Sequence, residues 1–129
     1  MPRPSGERLI KLTLTETDGT LPDPVAGSTW VEFGTTTLTR NGEPFGTWGY
    51  QGVVLAVDGD VRQQQVVGTF NTPDGQITTQ LLDQNVESRD PSDRQTSAIT
   101  GGTGRFSNVR GYIEAREDGT QVVVHLLER

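Results

Sequence analysis

Cysteine is absent from this 129-residue sequence, and methionine and histidine occur once each. Without cysteine there is no disulfide scaffold, no thiolate nucleophile and no thiolate metal site. The lone histidine, His125, has no cluster of His, Asp or Glu at metal-ligand spacing beside it. An excess of basic residues is also missing. Lys and Arg total 11 against 17 Asp and Glu, a formal charge of −6. That balance argues against a general nucleic-acid binder, which needs positive charge to displace counterions from phosphate. It argues equally against a basic membrane-surface protein. Long apolar runs are lacking too. Leu9 to Leu14 is broken by Lys11 and Thr13, and no stretch approaches the roughly 18 apolar residues of a spanning helix. Met1 to Arg8 has no apolar run behind it that would serve as a signal peptide. The expectation is a cytoplasmic chain without a membrane partner. Residues 1–8 read as a flexible N-terminus and 9–129 as a single domain.

What the sequence does have is threonine, valine and turn residues, with 16 glycines and seven prolines. Branched Cβ atoms pack well on a pleated surface and cost helix entropy. No window carries a clean helical apolar stripe. Eight strands are predicted, separated by turn signals. They run Leu9 to Thr17, Thr29 to Thr39, Thr47 to Val57, Val61 to Phe70, Gln76 to Leu82, Gln95 to Ile99, Phe106 to Ala115 and Gln121 to Leu127. Asn41-Gly42, Asp58-Gly59, Asp74-Gly75 and Asp118-Gly119 are hairpin dipeptides that tolerate positive φ. Eight tightly connected strands suit an all-β, eight-stranded antiparallel β-barrel with a central pocket. Closure removes the edge strands that invite aggregation. Such a barrel has room for side chains or one small ligand. The polar stretch Asp83 to Arg94 and the loop Leu21 to Gly27 have the composition of mobile lids at a barrel mouth, or of ordinary solvent loops.

Alternation assigns faces within each strand. Trp48, Tyr50, Gly52, Val54 and Ala56 share one face of the third strand, and Trp30, Glu32, Gly34 and Thr36 share one face of the second. The opposite faces also carry apolar residues, such as Val31, Phe33, Val53 and Leu55. In a barrel this predicts an outer wall covered by a subunit partner. Glu32 lies between aromatics. In an aromatic lumen, desolvation would raise its pKa and fit it for acid–base work; on the outer wall it is a solvated charge. His125 is a wall residue, a subunit contact or a general base. On the seventh strand, Ile113 and Ala115 face inward in the simple reading, and Arg110, Tyr112, Glu114 and Arg116 outward. Some of Gln63, Gln64 and Gln65 line a polar cavity, or all are surface strand residues. Gly101-Gly102-Thr103-Gly104 lacks the Gly-Lys-Ser/Thr of a phosphate loop and opens no helix, so it implies no nucleotide cofactor. Its glycines suit a turn passing close to a neighbouring strand. No nucleophile elbow is present.

The run Ala98 to Phe106, followed by Val109-Arg110-Gly111, closely resembles the signature of the allene oxide cyclase and dirigent barrel superfamily. Val25-Ala26-Gly27-Ser28, Asn41-Gly42, Phe45-Gly46, Gly68-Thr69-Phe70 and Asp74-Gly75-Gln76-Ile77-Thr78 fall in the expected order. The resemblance spans Leu9 to Leu127. It implies an eight-stranded antiparallel barrel with a central pocket, no metal and no organic cofactor, and a homodimer or homotrimer. In the plant cyclases the lumen holds a glutamate, an asparagine, a proline and a cysteine. In the register of the resemblance those positions are Thr13, Thr15, Glu32 and Gly52. The plant polar set is therefore absent. The chain looks more like the bacterial stand-alone branch, whose spirotetronate cyclases fold a linear polyketide for intramolecular [4+2] cycloaddition.

The function this implies is a cofactor-free cyclase or isomerase acting on a largely apolar, polyketide-type small molecule in natural-product biosynthesis. Catalysis is expected of Glu32 and Tyr50, and substrate binding of Trp30, Trp48, Thr13 and Thr15. Two rival readings stand beside it. One is a dirigent-like protein that orients a reactive intermediate without catalysing its reaction. The other is an interaction barrel with a filled lumen.

Overall fold

The computed structural model describes residues 7–59, 61–84, 94–116 and 120–127. Eight strands follow one another: β1 (Glu7–Gly19), β2 (Thr29–Leu38), β3 (Pro44–Asp58), β4 (Val61–Thr72), β5 (Gly75–Asp83), β6 (Arg94–Gly102), β7 (Arg110–Arg116) and β8 (Gln121–Leu127). Each pairs antiparallel with the next, and β8 returns to pair with β1. The result is the expected all-β, eight-stranded closed barrel. Register shifts at Glu16/Asp18, Thr36/Thr37, Val54/Ala56 and Thr78/Thr79 mark irregularities in the ladders. Extra residues of this kind bend a strand and sharpen its twist, which closure requires.

Glu7 and Arg8, read from sequence as part of a flexible N-terminus, belong to β1 and pair with Leu127 and Leu126. Residues 1–6 lie outside the described residues, as do most of the loop between β5 and β6 and the turn Asp118-Gly119. Of the two proposed lids, only the loop before β2 is therefore described.

Phe106 does not begin the seventh strand. It ends a short 3-10 turn, Gly104–Phe106, and its buried ring joins the core. Gly101 and Gly102 extend β6 where a break was expected. The segment then crosses the β4–β5 turn. Thr103 N donates to Gln76 O at 2.9 Å, and Arg105 N donates to Asp74 O at 2.9 Å. The approach is too close for side chains. A Cβ on Gly75, whose φ is +135°, would lie 2.1 Å from Thr103 O. The glycine-rich run thus seats the chain across one end of the barrel.

That end holds the apolar core, with a cleft of about 600 Å³ at its edge lined by residues 8–11 of β1 and by Leu38, Thr39, Arg40 and Phe45. Ile10, Leu12, Phe70, Ile77, Phe106, Ile113, Val124 and Leu126 are buried together. On β1, burial of Ile10, Leu12 and Leu14 turns the even-numbered residues inward. Every odd residue of that strand before the bulge then faces out, because the side-chain period of a strand is two. At the other end open the connections β1–β2, β3–β4, β5–β6 and β7–β8, and there the lumen is hollow.

Candidate active site

The hollow end is a cavity of about 550 Å³, a volume in the range of small-molecule sites. Leu14, Trp48 and Val122 line it and belong to the packed core as well, so it is a cup with a floor. Trp30, Glu32, Trp48 and Tyr50 all face it. The strand ladder explains why. Glu32 lies opposite Tyr50, and Trp30 opposite Gly52; Tyr50 in turn lies opposite Gly68. Each ring lies over the glycine of the next strand. A Cβ on Gly52 would come within 2.3 Å of the Trp30 ring, and one on Gly68 within 2.4 Å of the Tyr50 ring. The rings therefore lie against the wall and leave the cup empty. Trp48 and Tyr50 rings are tilted at 50° with centroids 5.2 Å apart, and Tyr50 meets Phe70 edge-on at 5.9 Å. Such offset and edge contacts are favourable for aromatic quadrupoles.

Two polar chains fix the walls. Trp48 Nε1 donates to Thr35 O at 3.1 Å. Trp30 Nε1 donates to Gln64 Oε1 at 3.0 Å, and Gln64 Nε2 donates to Asp83 Oδ2 at 3.1 Å. Gln64 and Asp83 are both buried, so this chain holds Trp30 by satisfied polar groups in a poorly solvated place.

Glu32 has a second carboxyl beside it. Glu16 also lines the cavity and hydrogen-bonds the Glu32 side chain. Burial, the Glu16 hydrogen bond and the Glu16 charge together push Glu32 up to about 7. A carboxyl buried beside another holds its proton more tightly, because low dielectric and like charge both disfavour its ionised form. Tyr50 is also pushed above its ordinary value, first by burial and then by the Glu32 charge. It remains a neutral phenol and a hydrogen-bond donor near neutrality. The cup thus sets one carboxyl that titrates near pH 7 and one phenol that does not ionise among three aromatic rings.

Thr13 and Thr15 are not part of it. They lie on the outer wall, where Thr13 Oγ1 is 3.0 Å from Thr39 Oγ1 and Thr15 is exposed. The register that placed them in the lumen is off by one. Ile10, Leu12 and Leu14 occupy the inward positions, and one residue of slip exchanges the two faces. The same parity makes Glu16 a lumen residue. The sequence pattern alone does not single it out, although it continues the apolar series 10, 12, 14. Asp83 reads from sequence as the start of a loop, and nothing in its sequence neighbourhood signals burial.

His125 and Tyr112 stand on the outer wall. Their rings stack at 4.3 Å and 15°. His125 Nδ1 is 2.5 Å from Glu7 Oε1, and Nε2 approaches Glu114 Oε1 to 2.6 Å without the alignment of a hydrogen bond. Arg110 is exposed. Among the described residues no three His, Asp or Glu side chains are placed to hold a metal ion, and no helix is long and apolar enough to cross a membrane.

No family model and no curated protein matches the chain by sequence. Solved structures do match by shape. A pyocyanin demethylase is 18% identical, with a TM-score of 0.77 over 92% of this chain and 99% of its own. AbnU, an exo-specific intermolecular Diels-Alderase, is 12% identical, with a TM-score of 0.72 over 93% and 98%. The pterocarpan synthase dirigent protein GePTS1 is 14% identical, with a TM-score of 0.53 over 94% and 83%. What they share is the barrel. The chain has a barrel fold related to that of the dirigent and Diels-Alderase proteins, and at these identities the likeness extends to fold alone.

Proposed function

We propose that this barrel is a cyclase or isomerase that works without a cofactor on a largely apolar, polyketide-type molecule held in the cup. The observation that carries the reading is the placement of Glu32, raised to about 7, in an open cavity walled by Trp30, Trp48 and Tyr50. A floored cup favours ring formation for a simple reason. A long chain cannot thread through it, so a bound chain must double back and bring its own segments together. Pre-aligning reacting ends is worth up to about 7–11 kcal/mol in the best cases. Protonated Glu32, or the Tyr50 phenol, donates a hydrogen bond to a substrate carbonyl and stabilises charge as it builds on that oxygen. An intramolecular [4+2] cycloaddition is the specific chemistry this suits; the Diels-Alderase of like fold acts between two molecules. Assembly as a homodimer or homotrimer belongs to the same reading. Val31, Phe33, Val53 and Leu55 are exposed on the outer wall of β2 and β3, as a covered face requires.

The test is incubation with synthetic linear polyenes bearing an activated alkene, followed by chiral chromatography and mass spectrometry. The reading predicts one stereoisomer of a cyclised product of unchanged mass, formed faster than without protein. Glu32→Gln is expected to slow an isomerisation by about 10²-fold or more; in a pure cycloaddition, where no proton moves, it slows the reaction by less than about tenfold. Racemic product at the uncatalysed rate would refute the cyclase reading. The loss of stereocontrol on Trp48→Ala would locate the reaction in the cup.

A further inference from the structure

The charge lining the cup restricts what it can hold. Among the described residues, three of the four charged side chains lining it are acids: Glu16, Glu32 and Asp83. Arg116, the remaining one, is exposed at the rim, as Glu16 is. Asp83 accepts a hydrogen bond from Gln64, whereas Glu16 and Glu32 lie against each other at the mouth. Resting on the reading of the cup as the working site, we propose that its ligand presents a basic, cationic nitrogen to the Glu16–Glu32 pair, on an apolar frame that packs against Trp30, Trp48 and Tyr50.

The physical argument is one of competing occupants. A ligand with a carboxylate head brings a further negative charge beside two neighbouring carboxyls, and like charge there is penalised. A neutral ligand leaves the Glu32 proton where it is. An ammonium or iminium head replaces that proton. Both carboxylates then face a full positive charge, and the proton passes to the buffer. Aromatic faces attract the same cation through their quadrupoles, most strongly where water is thin. Acids and rings side by side in one cavity therefore favour one charge type. The fatty-acid and acidic-polyketide ligands otherwise suited to an apolar barrel are disfavoured at this mouth.

Calorimetric titration with three probes on one frame tests the proposal: phenylbutylammonium, phenylbutanol and phenylbutanoate, at pH 7, in buffers of low and high ionisation enthalpy. The ammonium is expected to bind at least about tenfold tighter than the alcohol, with the carboxylate weakest. Because Glu32 titrates near 7, ammonium binding should also release a fraction of a proton, seen as a buffer-dependent heat. Glu32→Gln, which keeps the side-chain shape, should abolish the proton release and most of the preference; Glu16→Gln should reduce both. Equal binding of ammonium and alcohol, or tightest binding of the carboxylate, would overturn the charge inference and leave the cup as a site. Failure of all three to bind would overturn the cup reading as well.

Discussion

The same eight strands make a solid end and a hollow end. At the solid end they turn inward Leu12, Phe70, Ile77 and Leu126, joined by Phe106 of the 3-10 turn, each almost wholly buried. At the hollow end the inward positions go to Glu16, Glu32, Gln64, Asp83 and Ser97 with three aromatic rings. Burial at the first end supplies the stability that the second does not. A cup that leaves carboxyls facing each other costs free energy, and a small barrel carries it only when the rest of the core is closely packed. The glycines divide the same way. At the solid end, Gly75 and Gly102 let backbone cross backbone, while at the hollow end Gly52 and Gly68 let rings lie flat on the wall. One device closes the barrel and the other keeps it open.

The contrast is broken most directly by truncation on each side of the floor. Phe70→Ala should cost about 3–5 kcal/mol in urea unfolding, because it leaves a cavity in close packing. Leu81→Ala, on the half-buried cup wall, should cost clearly less, about 1–2 kcal/mol; equal losses would deny the distinction. Next in size is Gly68→Ala. The added methyl meets the Tyr50 ring, and displacing that ring should cost about 1–3 kcal/mol. It should also alter the near-ultraviolet circular dichroism, as the ring moves into the cup.

Glu32→Gln sharpens the comparison through pH. The folded-state pKa of Glu32 is raised to about 7 from an ordinary 4.5. The folded protein therefore holds more protons than the unfolded chain between those values, and stability falls as pH rises through that window. The penalty is complete above pH 7 and absent below 4.5. Glu32→Gln should therefore stabilise the protein at pH 8, by about 1 kcal/mol once solvent screening of a half-exposed carboxyl is allowed for, and do nothing at pH 4. Denaturant titrations at the two pH values measure the difference. The smallest effect is expected on the outer wall. Thr15→Val should change stability by less than about 0.5 kcal/mol and leave probe binding in the cup unchanged.

The barrel was legible because its signals are local. Threonine and valine alternation with Asn-Gly and Asp-Gly turns defines strands and hairpins residue by residue. The faces of β2 and β3 were legible because Trp30, Trp48 and Tyr50 fall at one parity within each strand. The rest depends on relations between strands. Thr13 and Thr15 were placed inward by a register, when Ile10, Leu12 and Leu14 in the same strand claim those positions. Glu16 became visible as a partner of Glu32 only once β1 and β2 were paired through the bulge at Glu16/Asp18. Asp83 and Gln64 find each other from adjacent strands, opposite one another in the ladder. Phe106 reads as the start of a strand because an aromatic followed by alternating residues looks like one. Its place in the core appears only when the glycine-rich turn folds back over Asp74 and Gln76.

The central claim is that Glu32 stands in the cup with its carboxyl against that of Glu16. Carbon-13 NMR of the glutamate side-chain carboxyls across pH 3 to 9 tests it, with the Glu32 signal assigned by its loss in Glu32→Gln. The account predicts a Glu32 midpoint near 7 that falls part of the way toward 4.5 in Glu16→Gln, since burial, the larger cause, remains. A midpoint near 4.5 in the unaltered protein, or one indifferent to Glu16, would contradict it.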